Sequence, residues 1–197
     1  MSEEEVDQGR RRMLTVASAV TGGVGVAALA APFVLSFKPS ARARAVGAPV
    51  KVDISKVEMG SLLRVEWRGK PVFILRRSPA ALATLPKVTE QLRDPESKKS
   101  IQPEFAQNDT RSLDPELVVL LGVCTHLGCA PAYLPEVGTP GADDELVAFL
   151  CACHGSKFDV SGRVFKAVPA ESNLEVPPYR ELGDGWLLIG DTSGAVA

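Results

Sequence analysis

The polar and apolar positions divide the chain into three stretches. Residues 2–9 are acidic and polar and run into Arg10, Arg11 and Arg12. Met13 to Phe37 then carries no charged residue. About 20 apolar residues span a bilayer core, so this run predicts a single transmembrane helix over 13–37, with residues 1–12 as a tail. The run is rich in Ala, Gly and Val, for example Thr21-Gly22-Gly23-Val24-Gly25, which suits close packing against other membrane helices. A buried helix of a soluble protein is the alternative, and the charge-free length argues against it. Lys38 to Pro49 mixes Pro, Ser, Gly, Ala and Arg without apolar periodicity, which predicts a flexible neck.

From Val50 the periodicity becomes that of strands, and residues 50–197 are expected to form one mainly β domain. Leu62–Trp67 and Val72–Leu75 flank Arg68-Gly69-Lys70-Pro71, a hairpin pattern. Residues 79–94 predict a short helix, with Pro79 at its start and Pro95 just beyond it. Residues 94–116 are polar and punctuated by prolines, so a surface excursion is expected. Val118–Val123 and Leu146–Leu150 read as two further strands, paired as a hairpin. Between them lies the loop Pro131–Asp144. Phe158–Phe165 predicts another hairpin, turning at Ser161-Gly162, and Trp186–Ile189 is the final strand.

At 197 residues there is room for one ordinary domain and something small. A net charge of −2 makes nucleic acid a poor partner. Charge also bears on the N-terminus. Lys38, Arg42 and Arg44 beyond the apolar run balance Arg10, Arg11 and Arg12 before it, so the positive-inside rule is undecided. Gly9-Arg10-Arg11-Arg12-Met13-Leu14 resembles a twin-arginine export signal, which breaks the tie. The N-terminus is then cytoplasmic and the domain outside, at a bacterial inner membrane. Small residues at Ala41, Ala43 and Ala45 would allow cleavage, but an uncleaved anchor is the expectation.

All four cysteines and both histidines lie between Cys124 and His154, in the boxes Cys124-Thr125-His126-Leu127-Gly128-Cys129 and Cys151-Ala152-Cys153-His154-Gly155-Ser156. These are ligand types for iron, zinc and copper. Structural zinc usually pairs Cys with Cys and His with His, whereas each pair here is mixed. Haem attachment needs Cys-x-x-Cys-His, and Cys151-Ala152-Cys153-His154 is one residue short. A plant-type iron–sulfur site needs four cysteines at other spacings. A Rieske [2Fe–2S] centre takes two cysteines on one iron and two histidines on the other. That assigns Cys124 and Cys151 to one iron and His126 and His154 to the other, one cluster per chain. Cys129 and Cys153 remain, on different loops, and a disulfide between them would tie the loops in an oxidising compartment.

With both boxes, the arginine-led anchor and the stretch from Val168-Pro169-Ala170 to Asn173-Leu174-Glu175-Val176-Pro177-Pro178-Tyr179, the chain resembles the Rieske iron–sulfur subunits of ubiquinol–cytochrome c reductase, the cytochrome bc complex, along its whole length. The resemblance implies an antiparallel β-sandwich head with a small inserted cluster-binding subdomain, about 118–175. It implies a subunit of a respiratory or photosynthetic oxidoreductase that takes an electron from ubiquinol, releases a proton and passes the electron to a c-type cytochrome. Cytochrome b, a c-type cytochrome and membrane lipid are the implied neighbours, in a dimeric complex. Pro169 would belong to a proline loop covering the cluster, Leu127 would shield it beside the quinol-facing tip, and the head would swing on the neck.

Three positions depart from the family pattern. Ala152 stands where Pro is common, Glu171 where a second loop proline is usual, and Phe158 where high-potential members often carry Tyr. Phe158 cannot donate a hydrogen bond to a cysteine sulfur, so a lower potential is expected than in a Tyr-bearing relative. Ser156 keeps a hydroxyl near the cluster. Two imidazoles in place of two thiolates leave the ligand set less negative, which favours electron uptake, and His126 or His154 can hold a proton on its outer nitrogen. Three other readings share parts of the pattern. A ring-oxygenase ferredoxin has the ligands but neither the second cysteine pair nor the anchor. The small Rieske subunit of arsenite oxidase shares the export signal but gives no reason for Asn173–Tyr179. A zinc module is the third.

Overall fold

The computed structural model describes residues 7–141 and 145–191. The first part of the expected tail, the end of the 131–144 loop and the last residues of the expected 50–197 domain lie outside the described residues. The chain forms two compact units, Met1–Ala45 and Val46–Ala197.

In the first unit, helix α1 spans Gln8–Ser36, so it begins before Met13 and takes in all three arginines. Asp7 explains the early start: its side chain accepts from Gly9 N (3.0 Å) and Arg10 N (3.1 Å), a helix N-cap. At 29 residues the helix is roughly 44 Å long, and none of its side chains is buried within the protein. The segment expected as a flexible neck contains a second helix, α2, Ala41–Val46. Ser40 caps it through Ala43 N (3.1 Å), and Ala and Arg are good helix formers.

The second unit is built from antiparallel sheets, as expected. Strands β1 (Val50–Asp53), β8 (Tyr179–Gly183) and β9 (Trp186–Ile189) pair in the order β1-β9-β8. Strands β2 (Leu62–Trp67), β3 (Lys70–Arg76) and β4 (Leu117–Leu121) pair in sequence order. The short strands β5 (Ala132–Tyr133), β6 (Phe149–Cys151) and β7 (Ser156–Phe158) form the third sheet. The β2–β3 turn is tighter than expected: Arg68 and Gly69 alone make it, both at positive φ (54° and 72°), the geometry that matches strand twist. One core joins the three sheets. Val52 and Ile189 come from the first, Phe73 and Leu120 from the second, and Phe149 and Phe158 from the third.

Four expectations are corrected. The helix over 79–94 is broken into α3 (Pro79–Leu82), α4 (Leu85–Val88) and a 3₁₀ turn at Thr89–Gln91. Pro86 lacks an N–H and its ring clashes with the carbonyl four residues back, so one continuous helix cannot form. The 94–116 segment is not a surface excursion, because Ala106, Arg111 and Ser112 are fully buried. Arg111 donates to the carbonyls of Ser161 and Gly162 (3.1 and 3.4 Å) and to Gln102 Oε1, and Arg77 donates to Ser161 Oγ and Ser112 Oγ (2.9 and 2.7 Å). Burial pulls both guanidiniums down to about 10, against the opposing pull of Asp159, so they stay charged at neutral pH. Next, β4 and β6 lie in different sheets and are not hairpin partners. Their partners are β3 for β4, and β5 and β7 for β6, pairings set by tertiary contacts and not by strand composition. Finally, Phe158–Phe165 is no regular hairpin. Hydrogen bonds from Gly162 N to Asp159 O and from Asp159 N to Arg163 O close a tight turn with one bridge, Phe158 to Val164.

Gly122 lies between β4 and the first box. A side-chain carbon there would overlap the Phe73 ring, which stacks on Phe149 with centroids 5.8 Å apart. A Gly122→Ala variant is therefore expected to lose about 1–3 kcal/mol of stability by overpacking, read as a lower urea midpoint for the full chain in detergent.

Candidate metal centre

The two boxes are built alike, although they leave different strands. The first follows β4; the second is the turn of the β6–β7 hairpin. In each, the N–H of the glycine four residues on donates to the carbonyl of the leading cysteine: Gly128 N to Cys124 O (2.9 Å) and Gly155 N to Cys151 O (2.8 Å). Both glycines have positive φ (84° and 75°), which L side chains avoid, so the repeated Gly has a backbone reason. Each closed turn points its cysteine inward. Cys124 and Cys151 are free and buried.

The turns bring like donors together. The Cys124 and Cys151 thiols are near enough to interact electrostatically. The His126 and His154 rings meet edge to face, with centroids 4.7 Å apart at 89°. Burial pushes the Cys124 thiol up, while hydrogen bonds from His126 N–H and the Ser156 hydroxyl pull it back toward thiolate. His126 Nδ1 is buried without a hydrogen-bond partner. A buried polar atom left unpaired is costly, so it marks a place where something else binds. The Cys151 sulfur also lies within 4.8 Å of those of Cys129 and Cys153, but these two are bonded to each other and offer no thiolate. Two inward thiols beside two facing imidazoles, one with an orphaned nitrogen, fit the donor set of a Cys₂His₂ [2Fe–2S] cluster.

The remaining predicted residues fall around this centre. The Cys129–Cys153 disulfide joins the two turns. Ser156 is buried and its Oγ accepts from Ala170 N (3.0 Å). Phe158 is fully buried, opposite Phe149 in the ladder. Leu127 is 71% exposed and Pro169 is also exposed. No sequence pattern announced that Thr125 Oγ1 would donate to Ser172 O (2.6 Å), tying the first box to the Pro169 segment. A threonine inside a ligand box carries no signal that separates this role from chance.

Fold and donors together define a Rieske-type iron–sulfur protein on an apolar N-terminal helix. Residues 49–179 match the family described as "Rieske [2Fe-2S] domain", and residues 1–40 match "Ubiquitinol-cytochrome C reductase Fe-S subunit TAT signal". The ubiquinol-cytochrome c reductase iron-sulfur subunit of Allochromatium vinosum is 50% identical over 196 residues, covering 99% of this chain and 95% of the relative. The same subunit of Blastochloris viridis is 38% identical, over 96% of this chain and 97% of the relative. A chain of the solved "Hyperthermophilic respiratory Complex III" superposes with TM-score 0.50 at 25% identity, over 88% of this chain and 98% of that one. The chain belongs to the family of ubiquinol–cytochrome c reductase iron–sulfur subunits, oxidoreductase components that carry a Rieske [2Fe–2S] cluster. The leader match and the long apolar helix make it a bacterial membrane-anchored member.

Opening the disulfide with Cys153→Ser is expected to cost about 3 kcal/mol, since 24 residues separate the bonded cysteines. It should also shorten the half-life of the cluster's visible absorption on warming. An unchanged half-life would mean the two turns hold without the bond.

Proposed function

We propose that Cys124 and Cys151 hold one iron and His126 and His154 the other, and that the chain carries electrons from ubiquinol to a c-type cytochrome. The observation that carries this reading is the pairing of thiol with thiol and imidazole with imidazole across two separate turns. Bound there, the cluster supplies a one-electron acceptor. Two imidazoles in place of two thiolates remove negative charge from the ligand set, which eases electron uptake. His126 Nδ1 is the inward atom, so its Nε2 is the outer one, able to hold or release a proton. His154 is the more exposed of the two rings, and it accepts the hydrogen bond from the quinol hydroxyl. Leu127, exposed next to His126 in the chain, keeps water from that contact.

The same reading places residues 1–12 in the cytoplasm, 13–37 across the membrane among lipid, and 38–49 as the neck. The 50–197 head then lies in the periplasm, with the cluster-binding part at about 118–175, in a dimeric complex with cytochrome b and a c-type cytochrome. The arginines at 10–12 before the apolar run support that orientation.

Low-temperature EPR of the purified protein tests the assignment. Ascorbate is expected to produce a signal with the low average g of mixed Cys/His ligation. A signal that needs dithionite would replace this with a low-potential carrier, and zinc without any signal would end it. Phe158 leaves the cysteine sulfurs without a phenol donor. A Phe158→Tyr variant is therefore expected to raise the midpoint potential by roughly 20–60 mV, the one-electron equivalent of a net hydrogen bond. An equal or lower potential would contradict this.

A further inference from the structure

Three cysteine sulfurs lie together. The Sγ atoms of Cys129, Cys151 and Cys153 are all within 4.8 Å of one another. Two of them share the disulfide, and the third belongs to the free thiol of Cys151. The chain explains the arrangement. Cys151 ends β6 and Cys153 follows after one residue, so the bond that ties Cys153 to the first box sits beside the ligand position.

A thiol beside a disulfide is a reactive pair. Its sulfur can displace one sulfur of the bond and take its place. Reacting atoms are poised at about 3–3.5 Å, and holding them near that range replaces an encounter in solution. From 4.8 Å the remaining approach is on the scale of a side-chain torsion. A sulfur bound to iron is not free to make it.

We propose that Cys151 is the nucleophile of an internal thiol–disulfide exchange in the cluster-free chain, and that ligation of Cys151 keeps the Cys129–Cys153 bond in its register. The exchange needs only the geometry; the protection rests on reading Cys151 as a ligand. The Cys151 sulfur attacks Cys129 Sγ. The Cys129–Cys153 bond breaks, a Cys129–Cys151 bond forms, and the proton lost from Cys151 ends on the Cys153 sulfur. One thiol and one disulfide enter, and one of each leaves, so no oxidant or reductant is consumed. Two features select Cys129 as the attacked atom. A bond from Cys151 to Cys153 would close a small ring across one residue, far from relaxed disulfide geometry. Cys153 is exposed while Cys151 is buried, so the free thiol is better solvated after the exchange than before it. The exchanged chain keeps Cys124, His126 and His154 but has lost its fourth donor. Filling the site must therefore precede formation of the disulfide, or follow its reduction.

The test maps disulfides in the full chain in detergent, before and after an iron chelator strips it without added thiol. Both samples are then unfolded in guanidinium with excess N-ethylmaleimide. Cleavage after Glu136 and Glu145 places Cys129 and the Cys151/Cys153 pair on separate peptides, and fragmentation across Ala152 shows which of that pair carries the label. The loaded chain is expected to carry label on Cys151. In the stripped chain the label is expected to move to Cys153, and added iron and sulfide should restore the visible absorption only after treatment with dithiothreitol. A Cys151→Ala chain is expected to keep Cys153 bonded. Label that stays on Cys151 after stripping overturns the exchange, and label on Cys153 in Cys151→Ala overturns Cys151 as its nucleophile. Equal label on Cys153 in loaded and stripped chains overturns the protection. A purified chain with no ascorbate-induced signal ends the ligand reading and the protection with it, a result distinct from a normal signal in a chain that does not exchange once stripped.

Discussion

The centre depends on holding together two turns that start from different sheets. β4 ends one sheet and β6 runs through another, and no backbone ladder joins them. Among the described residues, two contacts stand out. At the base, Phe73 of β3 stacks on Phe149 of β6, and Gly122 leaves room for that ring. At the tip, the Cys129–Cys153 disulfide bonds one turn to the other. Between base and tip the cysteines and histidines have little freedom, and the donors are preset. An aromatic pair contributes about 0.5–1.5 kcal/mol beyond its burial, and the disulfide about 3 kcal/mol, so the covalent tie dominates.

Electrostatics then divides the site into an inside and an outside. Cys124, Cys151 and Ser156 are buried, while His154, Gly155 and Leu127 face outward. Burial disfavours a lone thiolate, so without a bound group the Cys124 sulfur is held toward the neutral thiol. The outer half leaves the imidazole of His154 exposed to solvent. Behind it lies a polar layer that the hydropathy pattern did not announce. Arg163 pairs with Asp159 (2.7 Å), and Arg77 and Arg111 converge on Ser161, all nearly inaccessible. This layer binds the 94–116 segment to the turn that follows β7. It therefore braces the sheet that carries the second box.

Much of the centre was legible in the chain itself. The coincidence of every Cys and His in two boxes carried the donor set, because ligand type and spacing are covalent properties of the sequence. Leu62–Trp67 and Trp186–Ile189 were legible as strands because strong β-formers there are bounded by turn residues. The segment 79–94 was misread as one helix because Pro79 and Pro95 mark plausible ends, whereas the break comes from Pro86 between them, whose effect is local and steric. The 94–116 segment was misread because polar residues usually face water, and only a tertiary partner can make a buried arginine tolerable.

The sequence by itself thus determined the chemistry of the ligands and the presence of one long apolar helix. Those follow from side-chain type and from the uninterrupted apolar run. Only the tertiary structure decided which strands pair, and that Cys124 faces Cys151 while His126 faces His154. It also decided that the Cys151 sulfur lies beside the Cys129–Cys153 bond. Such relations join residues far apart in the chain, and their geometry comes from how three sheets share one core, which no local pattern encodes.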